Sequence, residues 1–134
     1  MKKKISYLLG ISLIALVFLA FNSAASGEPW VVPTADKNKK NPVATSTSSI
    51  NNGKALYNLH CASCHGRKGL GDGSKAAQLD TDCGDFTSAT FQKQTDGEIF
   101  YKTAEGRGDM PSYKKKIPDA QDIWDIVNFM RTLK

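Results

Sequence analysis

Residues 61 to 65 read Cys61-Ala62-Ser63-Cys64-His65, the C-x-x-C-H pattern of covalent c-type haem attachment. The spacing is what that chemistry requires. Two thiols separated by two residues can each add to one vinyl group on the same porphyrin edge, and the adjoining histidine is then held beneath the iron as an axial ligand. Two other uses of a Cys-x-x-Cys pair fit less well. A tetrahedral zinc site takes four ligands, but beyond the motif the chain has only Cys83 and His60 to offer, and His60 adjoins Cys61. A thioredoxin-like motif follows a strand at the start of a helix, and no such strand precedes Cys61.

The haem reading requires export and a second iron ligand. Residues 1–25 have the form of an export signal. Lys2 to Lys4 are the positive end, Leu8 to Phe21 the apolar stretch and Ser23-Ala24-Ala25 the small residues of a cleavage site. The alternative is an uncleaved membrane anchor, for which Ile5 to Phe21 is at the short end of a span. The formal net charge of +5 is partly due to this leader. Without Lys2, Lys3 and Lys4 there remain 15 basic against 13 acidic residues, so there is no electrostatic case for nucleic-acid binding. If Cys61 and Cys64 become thioethers, Cys83 has no partner within the chain, which argues against a disulfide scaffold.

Residues 26–48 hold Pro29, Pro33 and Pro42, the cluster Lys37-Asn38-Lys39-Lys40 and the run Thr45-Ser46-Thr47-Ser48. They read as a flexible tether whose one apolar stretch is Trp30-Val31-Val32. The folded domain is expected over residues 49–134. Ser49 is a candidate N-cap for a helix over 50–60 with Ala55, Leu56 and Leu59 on one face. Gly53 is costly inside a helix unless another helix crosses closely there. Gly66, Gly69, Gly71 and Gly73 permit tight turns after the motif; without a preceding strand they do not suggest a phosphate loop. Thr95 and Glu98 have capping-box spacing for a second helix ending near Gly106. A third is expected from Asp119 to Leu133, with Ile123, Ile126, Val127, Met130 and Leu133 at helical spacing. No segment reads as a strand, so the domain is expected to be all-α.

For the second iron ligand, Met130 lies in the apolar stripe of the last helix, where methionine is usually core filler. His60 is too near Cys61 to reach over the ring. Met110 lies in Gly106-Arg107-Gly108-Asp109-Met110-Pro111, a loop without helical periodicity, and is the favoured distal ligand. Iron capped on both faces suits electron transfer rather than substrate chemistry.

Over residues 49–134 the chain resembles the class I c-type cytochromes, especially the small bacterial monohaem kind. The likeness is carried by Cys61 to Gly66, the Gly69-x-Gly71-Asp72-Gly73 run, Met110-Pro111 and the closing aromatic helix. The resemblance implies a cytochrome c-like fold in which N- and C-terminal helices cross beside one covalent haem c, with Gly53 facing Phe129. It implies Cys61 and Cys64 as thioether positions, His65 as proximal ligand and Met110 as distal ligand. The function implied is one-electron transfer, not enzymatic catalysis, in an extracytoplasmic, periplasmic respiratory chain. The partners would be redox proteins, either membrane complexes or periplasmic oxidoreductases, with membrane tethering by the N-terminus if the leader is retained. The alternatives are a haem-bearing subunit of a larger membrane oxidoreductase, or a haem enzyme such as a peroxidase. Lys68, Lys75 and Lys114 to Lys116 form either a basic rim for an acidic partner or solvated turns. The chain departs from the family pattern at Ser74 and Cys83, where members often carry proline, and the sequence names no acceptor for the His65 ring N–H. Cys83 is expected to be a small buried hydrophobe, with pairing to another protein or oxidant sensing as the competing roles.

Overall fold

The last helix sets the arrangement. In a computed structural model that describes residues 29–134, the expected third helix forms over Ala120–Met130, and every residue from Ile123 to Met130 is buried. A helix covered on all sides must lie at the centre of its domain. The Asp119 side chain caps its start by accepting from Gln121 N at 2.9 Å. It ends before the expected Leu133 because Thr132 N turns back to Phe129 O at 2.8 Å, a tighter i to i−3 bond.

We number the α-helices of the compact unit Val31–Lys134 in chain order: α1 Thr34–Lys37, α2 Thr47–His60, α3 Ala62–His65, α4 Ala89–Gln92, α5 Asp96–Glu105 and α6 Ala120–Met130; a 3-10 turn spans Ala76–Gln78. There is no strand among the described residues, and Arg107 and Met110 form an isolated bridge. The fold is all-α, as expected.

The crossing of α2 and α6 is the main packing contact, but α2 uses a different face from the expected one. Ser49, Gly53 and Tyr57 are its buried residues, whereas Ala55 is exposed and Leu59 is 74% exposed. Gly53 explains the choice. A Cβ built on it would lie 1.9 Å from Asp125 O and 2.9 Å from Ile126 N, so the two backbones are in direct contact. The close approach is thus to the backbone at Asp125, one turn before Phe129. The Phe129 ring packs instead on Tyr57, with centroids 5.1 Å apart.

Ser49 is not the N-cap. Ser46 is, with its Oγ accepting from Ser49 N at 3.1 Å. The Ser49 hydroxyl instead donates to the Asp125 carboxylate and accepts from Asn128 Nδ2 at 2.8 Å. Asn52 Nδ2 also donates to Asp125 at 2.8 Å. These bonds satisfy the buried polar groups of the crossing.

Residues 31–48, expected to be part of a flexible tether, are docked on the domain through Lys37, Asn41, Val43 and Thr45. Lys37 pairs with Glu98 at 3.2 Å, and Thr95 Oγ1 donates to Lys37 O at 2.6 Å. Asn128 accepts from Asn41 Nδ2 at 2.9 Å and donates to Val43 O at 3.2 Å. The polar composition that suggested disorder is used for specific hydrogen bonds. The capping box of α5 forms as read, with Glu98 N to Thr95 Oγ1 at 3.1 Å and Thr95 N to Glu98 Oε2 at 2.7 Å. The helix stops at Gly106, whose φ of +68° favours glycine. The expected leader over residues 1–25, and residues 26–28 of the expected tether, lie outside the described residues.

Candidate functional site

Helix α2 runs directly into the motif. Cys61 closes α2 and caps α3, which carries Cys64 and His65. Both thiols are free; Cys61 is 7% exposed and Cys64 half-buried. Burial, and then the neighbouring Cys64, push the Cys61 thiol up to about 12. The chain after His65 folds back along α3, with Gly71 N bonding to His65 O at 2.9 Å, Gly73 N to Cys64 O at 3.1 Å and Lys75 N to Ser63 O at 2.8 Å. Gly73 is required for this contact, since a Cβ would lie 2.4 Å from Ser63 O. The expected glycine turn thus forms the wall of the motif. The Tyr57 hydroxyl braces it by donating to Gly66 O at 2.8 Å.

The His65 ring has one nitrogen engaged, with Nδ1 2.9 Å from Cys83 O. Its ring stacks on Phe86 at 4.5 Å, and Phe86 stacks on Phe91 at 4.4 Å. Burial lowers the pKa of the imidazole, and the bond to Cys83 O works in the opposite direction. A neutral ring with Nδ1–H held by a carbonyl presents Nε2 as a lone-pair donor, the arrangement of an oriented axial ligand. The Cys83 carbonyl is the acceptor that the sequence did not name. Its thiol is half-buried. Burial, then Cys64, Asp82 and Asp109, raise its pKa, which disfavours the thiolate that oxidant sensing needs.

Met110 lies in a separate loop, half-buried. Arg107 N bonds to Met110 O at 2.8 Å and Met110 N to Arg107 O at 3.0 Å, closing a turn. Further bonds pin the loop. Ser112 Oγ and Tyr113 N donate to Ala104 O at 2.7 and 3.1 Å, fixing it to the end of α5. Tyr113 Oη donates to His60 O at 2.7 Å, fixing it beside Cys61. Asp109 Oδ2 accepts from Asp80 N at 3.0 Å and Thr81 N at 3.1 Å, fixing it to the segment that leads to Cys83. Cys61, Cys64 and His65 therefore share one corner, and the Met110 loop is tied to both sides of that corner. Met130 is core, as expected. His60 is half-buried against the edge of Tyr113. Sequence reasoning missed Tyr57, Asp109 and Tyr113. None stands in a motif, and each acts on a backbone group distant in sequence or across a turn.

Among the described residues no group of three His, Cys, Asp or Glu is placed to hold a metal ion. The family model described as Cytochrome c matches residues 50–134. The chain belongs to the cytochrome c family. This cytochrome c carries covalent haem c, and the donor set fits that group. Two uncommitted thiols, separated by two residues, stand beside an imidazole whose second nitrogen is free to bind iron. No curated protein matches the chain. Among solved structures it is similar to a chain of the Kuenenia stuttgartiensis reducing HAO-like protein complex Kustc0457/Kustc0458. The identity is 24% and the TM-score 0.63, with 82% of this chain and 52% of that chain covered. The cytochrome spans about half the length of that relative, and the likeness shows the fold.

Proposed function

We propose that this cytochrome moves single electrons between protein partners, with Cys61 and Cys64 as the thioether positions and His65 and Met110 as the axial ligands. The observation that carries the reading is the pinning of the Met110 loop to both flanks of the motif, at His60 O and at Asp80-Thr81. When bound, the haem supplies a one-electron iron couple, and His/Met ligation places its potential high. The protein orients His65 through Cys83 O, holds the Met110 turn closed and covers the proximal ring with Phe86. Were His65 and Met110 both to hold the iron, no iron position would be left open to substrate.

The setting we propose is extracytoplasmic, in a periplasmic respiratory chain, with the leader directing export and the partners being redox proteins. Lys68, Lys75 and Lys115 are exposed. Lys114 is not a free charge, since it pairs with Glu105, and Lys116 lies 5.5 Å from the Tyr113 ring centroid. A basic rim for steering therefore rests mainly on Lys68, Lys75 and Lys115.

The test is the ferric optical spectrum of wild type and Met110→Ala. The wild type is expected to show the far-red sulfur-to-iron charge-transfer band and the variant to lose it. A wild type without the band, binding small ligands freely, would instead point to an open, peroxidase-like site.

A further inference from the structure

Asp109 precedes the proposed distal ligand and is itself exposed, yet its carboxylate makes a specific contact. One oxygen, Oδ2, accepts from two successive backbone amides, Asp80 N and Thr81 N. Gly108 beside it faces the same segment, where a Cβ would lie 3.8 Å from Thr81 Oγ1. The 80–81 backbone leads within two residues to Cys83, whose carbonyl orients His65. The side chain thus ties the loop that carries Met110 to the loop that orients the opposite ligand. Two other anchors of the Met110 loop, at Ala104 O and His60 O, lie on its far side in sequence, after Pro111. Asp109 acts on the near side, before Met110.

We propose that Asp109 is a positioning residue for distal ligation, a clasp that keeps the Met110 loop closed against the segment before Cys83. The proposal rests on Met110 being the distal ligand. For an exogenous base to take the iron, Met110 must leave, and its loop must swing out. That movement breaks the two bonds to Asp109. Removing the clasp lowers the cost of opening without touching the iron, the thioethers or His65. The contact needs an acceptor oxygen rather than a charge, because both amides converge on the same atom. The Asp109→Asn amide carbonyl can take its place.

The experiment uses the holoprotein in four forms: wild type, Asp109→Ala, Asp109→Asn and Met110→Ala. Imidazole is titrated into the ferric wild type, Asp109→Ala and Asp109→Asn proteins and followed by loss of the far-red band, and the ferric Met110→Ala spectrum is recorded for the presence of that band. Amide hydrogen exchange at Asp80 and Thr81 is measured in the reduced wild type, Asp109→Ala and Asp109→Asn forms. Asp109→Ala is expected to bind imidazole about three- to tenfold more tightly, the scale of losing exposed hydrogen bonds to a carboxylate, and to exchange both amides faster. Asp109→Asn is expected to stay near wild type in both measurements. Wild-type imidazole affinity in Asp109→Ala, with Met110→Ala lacking the band, overturns the clasp and leaves the ligand reading standing. A band that survives in Met110→Ala overturns the ligand reading and the clasp with it. Asp109→Asn behaving like Asp109→Ala, or unprotected Asp80 and Thr81 amides in the wild type, also overturns the clasp.

Discussion

Gly53→Ala is the sharpest test of the helix crossing, because two physical effects of known size oppose each other there. On an exposed helix the change stabilises by about 1 kcal/mol, since alanine is the better helix former. Here the new Cβ would sit 1.9 Å from Asp125 O, where ordinary contact begins near 3.4 Å. The obstacle is backbone on both sides, so no rotamer change relieves it, and α2 and α6 must part by about 1.5 Å. A gap of that size removes most of the dispersion contact across the crossing. It also lengthens the bonds from Ser49 and Asn52 to Asp125 that span it, each worth about 1 kcal/mol or more to a buried carboxylate. Overpacking of cores usually costs about 1–3 kcal/mol. With the two strained bonds added and the propensity gain subtracted, the expected net loss is about 2–4 kcal/mol. For a domain of this size that is a fall in Tm of roughly 10–25 °C. Guanidinium unfolding of the holoprotein, followed by far-ultraviolet circular dichroism, measures it. A Gly53→Ala protein as stable as wild type, or more so, would refute the claim that the backbones touch at Gly53.

Two further expectations concern single groups. The Thr95 N–H bond, and then the Lys37 contact, hold Glu98 below its ordinary carboxylate range despite partial desolvation. A carboxyl with a depressed folded pKa stabilises the fold above its unfolded value of about 4.3 and loses that contribution as pH falls through the folded value. Wild type should therefore lose Tm more steeply on acidification than Glu98→Gln, and parallel pH profiles of the two would count against the capping-box carboxylate. Cys83→Ala leaves the carbonyl that accepts from His65 in place, so the far-red band and the reduction potential should match wild type; a marked shift in either would assign the thiol a role at the haem.

The parts legible in the sequence were those written as local patterns. Thr95 and Glu98 stand three residues apart and form the box that their spacing announces. Ile123, Ile126, Val127 and Met130 repeat at helical spacing and are buried together. The motif places Cys61, Cys64 and His65 on one corner because it is a covalent pattern over five residues. Misreadings arose where a contact runs to a main-chain atom or a distant polar group. Ala55, Leu56 and Leu59 have the right spacing for a packed face, but a backbone crossing at Gly53 rotates α2 so that Ser49, Gly53 and Tyr57 face inward. Residues 31–48 have the composition of a tether, yet Asn41 and Val43 find Asn128 more than 80 positions away. Neither partner marks the pairing in its own neighbourhood.

Position 83 shows why such contacts leave so little trace. Family members often carry proline near here, and the departure puts the orientation of His65 in question at the level of sequence. The group that meets Nδ1 is the carbonyl of residue 83, which every amino acid possesses. What must be preserved is the path of the backbone, and other residues set that path: Asp82 Oδ1 accepts from Gly84 N at 2.8 Å, Gly84 takes φ of +68°, and Phe86 N bonds to Gly69 O at 2.6 Å. A proline would stiffen the segment through its own ring. This chain fixes it through an Asx turn and a cross-link to the glycine loop instead. The side chain at 83 is thereby released from any part in orienting the His65 ring, and the constraint moves to Asp82, Gly84 and Gly69. The orientation of His65 thus rests on the backbone path those residues set, not on the cysteine side chain.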